Sequence, residues 1–340
     1  MAGTDPGAQD RADLELLLRG FMVSRMLRLV ADLGLADRIA PDGEVAVGDL
    51  AGACGVLEAP LVRVLRSLAS LGIFRLSPEG LVGHTGKSAL LRSDAPGSAH
   101  YAARFWAGPG SWAAWGRLEA ALTGGLPHDS AWGQGRFAYL REHPEEARAF
   151  DEMMAHFPDN RHAAAAEAYD FSAAHLIADV GGGNGAMLRH VLARAPAARG
   201  LLFDRPDVVA ALGPEALLDG RIRTVGGSFL DAVPAGADHV LLSRVLHDWP
   251  DEGCSRILAN CRAAMAPGTV LLVVEALLEP DPARGRPTDY LIDMQMMAMF
   301  GTGRQRSEAE FRALFAAAGF AWRRTVPTAS PVSVLEAVAA

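Results

Sequence analysis

The chain has 340 residues, half of them hydrophobic, and a formal net charge of −8. Its length predicts about two domains, and its hydrophobic content excludes a largely disordered protein. The acidic balance disfavours a nucleic-acid partner, because binding to phosphates needs clustered lysine and arginine side chains.

The first hundred residues predict a winged helix. Apolar residues at helical spacing predict a helix over 14–35, with Gly34 as its stop, and then two helices separated by a turn at Gly55. A small β-hairpin is predicted over 73–82. Residues 1–100 carry ten Lys and Arg against twelve Asp and Glu, a net charge of −2. We therefore expect this domain to serve packing and dimerisation, and a DNA-binding regulator is the non-enzyme alternative.

The segment from 98 to about 174 keeps a helical pattern and is rich in aromatic residues. Most of these side chains are expected in the core, and a subset is expected to line a pocket for a flat apolar ligand. We therefore predict three regions: a winged-helix dimerisation domain over 1–97, a helical linker and substrate-pocket region over 98–170, and a C-terminal α/β domain over 171–340.

The C-terminal region alternates between strands and helices, a pattern that predicts a doubly wound parallel sheet. Strands are predicted over 176–180, 200–204, 221–225, 238–243 and 269–275, and helices over 186–194, 206–212, 251–265 and 307–318. Two closing strands are predicted over 321–326 and 332–338. They predict an antiparallel edge strand, which separates this sheet from the all-parallel dinucleotide-binding fold.

A glycine-rich turn follows the first of these strands. Asp179 ends the apolar strand, and Gly181, Gly183 and Gly185 lead into the next helix. Glycine lets backbone N–H groups and a helix N-terminus approach a small polar ligand closely. The spacing also satisfies a relaxed dinucleotide fingerprint, with Asp204 placed to contact a ribose, so a nicotinamide oxidoreductase is one alternative.

A second unusual segment, Leu242–Trp249, ends a later hydrophobic strand and contains the pair His247 and Asp248. A glycine-rich turn of the kind that binds nucleotide cofactors, followed by a histidine at the end of a later strand, suggests an enzyme that uses an adenosine-bearing cofactor and a general base.

Other features predict a cytoplasmic protein without a resident metal. No run of about eighteen uncharged apolar residues predicts a transmembrane helix. The N-terminal residues lack the pattern of a secretory signal. The three cysteines form neither a disulfide framework nor a metal quartet, and no cluster of His, Asp and Glu has ligand spacing.

Four motifs in this order resemble the S-adenosylmethionine-dependent O-methyltransferases of the plant caffeate/flavonoid type and their bacterial natural-product relatives. They are Asp179–Gly185, Phe203–Pro206, Leu246–Trp249 and Arg306–Phe311. The resemblance covers nearly the whole chain. It implies a class I methyltransferase Rossmann-like sheet with an antiparallel edge strand, preceded by an all-helical or winged-helix dimerisation domain. It also implies a homodimer and S-adenosyl-L-methionine as the cofactor.

The resemblance implies cofactor contacts for Gly181 at the methionine end and for Asp204 at the ribose hydroxyls. Ser228 stands where the family usually has an acid near the adenine, and Phe229 keeps the apolar contact. The residues expected to bind the cofactor are Asp179, Gly181, Gly183, Gly185, Asp204, Arg205, Ser228, Phe229, Ser243 and Arg244.

The resemblance also implies that His247 is the general base, with Glu275 and Asp248 to stabilise it. The family places a second acid immediately before Arg306, and this chain has Gln305 there. Residues expected to line the acceptor pocket are Trp132, Phe137, Met153, His156, Met294, Met297 and Phe300. We therefore expect an O-methyltransferase acting on a hydroxyl of an aromatic or polycyclic natural product. A relative with the same fold and cofactor that catalyses hydroxylation, decarboxylation or cyclisation is the alternative.

Overall fold

The computed structural model describes residues 6–156 and 160–340, which divide into two compact units. The described residues of Met1–Trp112 and His143–Pro158 form one unit, and those of Ala113–Glu142 and Asp159–Ala340 form the other. The helical segment that was predicted as a linker over 98–170 is therefore divided between them.

The elements are numbered along the described chain. The helices are α1 (Pro6–Leu18), α2 (Gly20–Asp32), α3 (Val47–Cys54), α4 (Glu58–Ser70), α5 (Gly86–Ala89), α6 (His100–Trp106), α7 (Pro109–Trp115), α8 (Pro127–Trp132), α9 (Arg136–Glu142), α10 (Pro144–Ala155), α11 (Arg161–Ala168), α12 (Ala186–Arg194), α13 (Pro206–Ala210), α14 (Asp251–Ala264), α15 (Pro287–Phe300) and α16 (Glu308–Ala317). The strands are β1 (Glu44–Ala46), β2 (Phe74–Leu76), β3 (Leu81–His84), β4 (Leu176–Val180), β5 (Arg199–Asp204), β6 (Ile222–Gly226), β7 (His239–Ser243), β8 (Val270–Ala276), β9 (Phe320–Pro327) and β10 (Val332–Ala339).

The first unit contains the predicted pair of helices, α3 and α4, followed by the β2–β3 hairpin. Strand β1 joins β3 to complete a three-stranded antiparallel sheet. The apolar face of α4 is buried through Leu61, Leu65 and Leu68, as its helical spacing predicts. No helix of the described residues is long and apolar enough to cross a membrane.

The single helix that was predicted over 14–35 is instead two helices, α1 and α2, which meet at Arg19 and Gly20. Glycine weakens a helix because its backbone loses the most conformational freedom on folding, and here it follows the break. Helix α2 ends before Gly34, which adopts a φ of +56°. Several large apolar side chains of α1 and α2 are exposed: Leu14, Leu16, Leu17, Leu18, Phe21, Met22 and Leu29.

The second unit is built around a seven-stranded sheet with the order β6-β5-β4-β7-β8-β10-β9. Strands β4 to β8 pair in parallel, and β10 runs antiparallel to both β8 and β9. The antiparallel strand therefore lies one position in from the edge, whereas the sequence predicted it at the edge. The C-terminal hairpin inserts β10 against β8 and leaves β9 outside.

Buried apolar residues cover both faces of this sheet. Successive residues of β4 alternate between the two cores, with Ile177 in one cluster and Ala178 in the other. Because a parallel sheet is buried on both faces, its polar residues concentrate at the strand ends. The carboxyl ends of β4, β5, β7 and β8 lie at one edge, and this edge carries the candidate site.

Candidate active site

The turn after β4 has little room for side chains. Gly181 has a φ of +74°, and a Cβ added there would lie 2.8 Å from Cγ2 of Val245 and 3.4 Å from Cε1 of Phe229. Gly185 has a φ of +75°, and its added Cβ would lie 2.7 Å from Cδ1 of Leu202. Since L-residues with side chains rarely adopt such angles, both positions favour glycine. The turn therefore presents bare backbone to whatever it binds.

Asp179 lies beneath this turn and is 1% exposed. Neither of its carboxylate oxygens has a hydrogen-bond partner of ordinary geometry among the described residues, and the backbone N–H of Leu188 lowers its pKa by less than burial raises it. Burial, with a smaller contribution from the charge of Asp204, raises the pKa of Asp179 to about 7. A buried acid without a partner is costly, so this carboxyl is suited to a ligand that brings a positive or hydrogen-donating group.

Asp204 ends β5 beside the glycine turn. Its Oδ2 accepts a hydrogen bond from the backbone N–H of Gly183 at 2.8 Å, and its Oδ1 accepts one from the N–H of Arg205 at 2.7 Å. Each carboxylate oxygen can accept more than one hydrogen bond, so Asp204 keeps capacity for ligand hydroxyls. The sequence placed Asp204 and Gly183 in one site, and the structure brings them into direct contact.

Ser228 and Phe229 follow β6 at the same edge. The Oγ of Ser228 accepts a hydrogen bond from the N–H of Leu230 at 3.2 Å, which stabilises its own turn. The ring of Phe229 packs edge-to-face on Trp249, with centroids 5.7 Å apart. Phe229 therefore forms an apolar wall next to Gly181, at the position that the sequence predicted.

Two arginines predicted to bind the cofactor have other contacts in the structure. The guanidinium of Arg205 lies 5.5 Å from the ring centroid of Phe137, and its Nη2 donates to Asp207. Arg244, at a φ of +57°, donates from Nη1 to Oε2 of Glu275 at 3.0 Å. Beside it, the buried Oγ of Ser243 has no partner among the described residues.

The three residues predicted as catalytic are brought together at the ends of β7 and β8. Nδ1 of His247 lies 2.9 Å from Oε2 and 3.0 Å from Oε1 of Glu275, whose side chain is fully buried. Burial alone would raise the pKa of Glu275. The charges of His247 and Arg244 and the hydrogen bonds from His247 outweigh it and lower that pKa below its ordinary value. An ionised Glu275 therefore fixes the imidazole with Nδ1 as the hydrogen-bond donor.

Asp248 faces the other ring nitrogen. Its Oδ1 lies 3.2 Å from Nε2 of His247. Burial raises the pKa of Asp248, and the charges of His247 and Arg244 offset this only in part. The imidazole thus lies between an acid with a lowered pKa and one with a raised pKa.

Arg306 holds the short turn that carries His247. Its guanidinium is completely buried and donates to the carbonyl of Leu246 at 2.9 Å and to that of Trp249 at 2.8 Å. Its Nε and Nη2 also donate to Oδ1 of Asp251. Both ends of the 3₁₀ turn Leu246–Asp248 are therefore fixed by one side chain. From the sequence, Arg306 was identified only as part of a motif, because no local spacing links it to Leu246 and Trp249, about sixty positions earlier.

Gln305 precedes this arginine and is 3% exposed. Its backbone N–H donates to Oδ1 of Asp293 at 2.7 Å, whereas neither its Oε1 nor its Nε2 has a partner among the described residues. A Cβ added at the nearby Gly303 would lie 2.9 Å from the carbonyl oxygen of His247. The segment that carries Gln305 therefore lies directly against the histidine turn.

Residues predicted for the acceptor pocket are found in both units. In the second unit, Phe137 and Phe300 contact each other with centroids 5.4 Å apart, and Trp132 lies against Tyr139. Met294 and Met297 are half-buried on α15. In the first unit, Met153 packs with Ala102 and Phe105, while the exposed His156 stacks on Tyr101. A role for Met153 and His156 in acceptor binding stays a prediction.

Comparisons with known proteins decide the family. A profile for the O-methyltransferase domain matches residues 115–321, and one for the O-methyltransferase dimerisation domain matches residues 15–94. The chain belongs to the O-methyltransferase family.

Full-length relatives and solved structures agree. The chain is 39% identical over 327 residues to a phenazine O-methyltransferase, PhzM, of Lysobacter antibioticus, covering 94% of each chain. It is 38% identical over 311 residues to a 3-amino-4-hydroxybenzoate 4-O-methyltransferase of Streptomyces cremeus, covering 89% of this chain and 83% of the relative. The structure of NcsB1, an O-methyltransferase from neocarzinostatin biosynthesis, contains S-adenosylmethionine and 2-hydroxy-5-methyl naphthoic acid. It superposes with a TM-score of 0.78 at 31% identity, covering 94% of this chain and 96% of that one.

This protein is thus an S-adenosylmethionine-dependent O-methyltransferase, and its residues fit that cofactor. The buried, unpartnered carboxyl of Asp179 and the side-chain-free turn at Gly181 suit the cationic amino acid end. Asp204 suits the ribose hydroxyls, and Phe229 offers an apolar face. Among residues 6–156 and 160–340, no group of three or more His, Cys, Asp or Glu side chains could hold a metal ion.

Proposed function

We propose that this enzyme methylates a hydroxyl of an aromatic or polycyclic natural product, with His247 as the general base. The observation that carries the proposal is the contact between Nδ1 of His247 and the buried Glu275 at 2.9 Å. A histidine whose Nδ1–H is held by an ionised acid has its Nε2 left to accept a proton. The two named relatives act on aromatic compounds, and NcsB1 contains an aromatic acid, which supports the acceptor class.

The chain's own residues account for the proton and the geometry. When bound, S-adenosylmethionine supplies a methyl group that bonds to the acceptor oxygen, while the electron pair of the broken carbon–sulfur bond stays on sulfur. His247 accepts the proton from the acceptor hydroxyl at Nε2, and Glu275 stabilises the imidazolium that results. Arg306 keeps the histidine turn in place. General-base help of this kind contributes about 10²–10⁴-fold, and alignment of the two reactants adds to it.

Asp248 has to release Nε2 before this step, because its Oδ1 lies 3.2 Å from that nitrogen. Burial raises the pKa of Asp248 and so disfavours its charged form, which weakens its contact with Nε2 and lets the acceptor hydroxyl replace it. Arg244 favours the ionised form of Glu275, because its Nη1 donates a hydrogen bond to that carboxylate.

The test is the variant His247→Ala, assayed with deuterated methyl donor on 3-amino-4-hydroxybenzoate and 2-hydroxy-5-methyl naphthoic acid. We expect turnover at least about tenfold lower and nearly unchanged affinity for S-adenosylhomocysteine. The control is His175→Ala, because the His175 side chain is 89% exposed. Turnover equal to that of the unaltered enzyme would remove the role assigned to His247.

The same assay separates methyl transfer from the alternative reactions. A product that gains one deuterated methyl in place of a hydrogen supports methyl transfer. Loss of carbon dioxide, gain of oxygen or ring closure without that gain supports a non-methylating reaction. The neutral Gln305 beside the histidine turn is the observation that keeps this second possibility in the test.

We also propose that the enzyme is a homodimer through its N-terminal region. The match to a dimerisation domain over residues 15–94 supports this, as do the exposed apolar side chains of α1 and α2. Apolar surface of this extent on a helix favours burial against a second chain. Analytical ultracentrifugation tests it: a monomer at micromolar concentration would contradict the proposal.

A further inference from the structure

The side chain of Gln305 is the strongest unexplained polar group of the second unit. It is 97% buried, and both polar atoms of its amide lack a partner among the described residues. Its backbone is fixed by the hydrogen bond to Asp293, and the neighbouring Arg306 is fully buried. A buried amide with no partner on either atom is rare in folded proteins, since each unsatisfied group is unfavourable by more than a typical hydrogen bond contributes.

This amide does not orient His247. Nδ1 of the imidazole already contacts both oxygens of Glu275, and Nε2 faces Asp248. A third carboxyl here would add like charge beside two acids, which a neutral glutamine avoids. Yet Gly303, two residues before it, contacts the backbone of His247 and Asp248. Gln305 therefore belongs to the segment that packs against the histidine turn, and its amide has no hydrogen bond to His247.

The chemistry of the free amide specifies its complement. Oε1 accepts hydrogen bonds and Nε2 donates them, and the two atoms lie side by side. A carboxamide or lactam presents N–H and C=O in the same arrangement and satisfies both atoms at once. An ionised carboxylate or an ester carbonyl offers acceptors alone and leaves Oε1 unsatisfied.

We propose that Gln305 binds a carboxamide or lactam edge of the acceptor, close to the hydroxyl that is methylated. This inference rests on the proposed function, because it assumes that the acceptor lies against the histidine turn. Gln305 is then a specificity-determining residue: it selects acceptors by a two-point hydrogen bond and takes no part in proton transfer.

The experiment measures binding without turnover. The full-length enzyme is loaded with S-adenosylhomocysteine and titrated by NMR with 3-hydroxybenzamide, methyl 3-hydroxybenzoate and phenol. We expect the amide to bind about tenfold more tightly than the ester, and Gln305→Met to abolish that preference. Gln305→Glu keeps an oxygen acceptor that the N–H of the amide can use and the ester cannot, so we expect this variant to retain the preference for the amide. Equal binding of amide and ester to the unaltered enzyme, or a preference that survives in Gln305→Met, would overturn the proposal.

Thermal unfolding of the unliganded enzyme gives a second, independent readout. Gln305→Met removes an unsatisfied amide, so we expect it to raise the melting temperature. The matched control is Gln295→Met. Oε1 of Gln295 accepts a hydrogen bond from Nε1 of Trp115 at 2.6 Å, so we expect this variant to lower the melting temperature. A similar loss in both variants would show that Gln305 has an internal partner and would overturn the proposal. Turnover of His247→Ala equal to that of the unaltered enzyme would instead contradict the proposed function, and it would leave the outcome of this binding experiment unchanged.

Discussion

Replacing Asp179 with asparagine is expected to stabilise the unliganded enzyme in a pH-dependent way. The carboxyl is 1% exposed, both of its oxygens lack a partner among the described residues, and burial with the charge of Asp204 raises its pKa to about 7 from 3.8. Because the folded pKa lies above the unfolded one, the unfolded chain loses this proton first as the pH rises. The native state is therefore destabilised progressively between about pH 4 and pH 7.

The size of this effect follows from the shift. A rise of the Asp179 pKa from 3.8 to about 7 corresponds to about 4 kcal/mol, since a tenfold change in an equilibrium constant is about 1.4 kcal/mol. Asparagine does not ionise and resembles the protonated acid in shape and polarity. The variant and the unaltered enzyme are therefore expected to have similar stability near pH 4, and the variant to be more stable by up to about 4 kcal/mol above pH 7.

Urea unfolding of the unliganded enzyme at pH 5, 6, 7 and 8 measures this difference. The control is Asp231→Asn, since the Asp231 side chain is 76% exposed and pairs with Arg256 at the surface. A difference between Asp179→Asn and the unaltered enzyme that stays constant from pH 5 to pH 8 would refute the reasoning. A variant that is less stable at pH 8 would refute it as well.

Two further predictions concern the glycine turn after β4 and the buried guanidinium of Arg306. Gly181→Ala is expected to weaken S-adenosylhomocysteine binding, measured by calorimetry, by at least about tenfold relative to the control Gly183→Ala. Both glycines have a positive φ, but only a Cβ added at 181 would have neighbours within 4 Å. Equal losses of affinity in the two variants would contradict the argument from close contacts. Arg306→Lys is expected to lower kcat about tenfold with little change in cofactor affinity, because a single ammonium cannot hold the carbonyls of Leu246 and Trp249 and also Asp251. The control is Arg304→Lys, because Arg304 contacts the same Asp251 from a more exposed position. An equal fall of kcat in both variants would contradict a positioning role for Arg306.

The sequence alone predicted the strands of the second unit and the local motifs. The β-α alternation predicted the five parallel strands of the second unit, because buried parallel strands leave short apolar runs between turns, and the pattern over 321–338 predicted the two closing strands. It did not predict that β10 inserts between β8 and β9, since strand order depends on pairing between distant segments. The helix predicted over 14–35 was wrong in its continuity, because one apolar stripe continues across the break at Gly20.

The candidate site shows the same division. His247 and Asp204 were predicted through motifs and Glu275 through its spacing in the family resemblance, and the structure adds the contacts that perturb the pKa of Glu275. The hydrogen bonds of Arg306 to the histidine turn, and the absence of a partner for the Gln305 amide among the described residues, depend on contacts between distant segments. No spacing in the sequence could therefore predict them. Arg244 was expected at the cofactor, and this stays a prediction; the structure adds its hydrogen bond to Glu275, which the sequence did not predict.

The placement of β10 also bears on how the catalytic unit folds. Ser333 pairs opposite Glu275, and the eight-residue strand β10 lies between β8 and β9. Strand β8, which carries the acid that contacts His247, therefore has one strand neighbour fewer until the C-terminal hairpin has paired with it. The catalytic acid is thus held in a complete sheet only after segments far apart in the chain have met, and contacts of this kind form slowly.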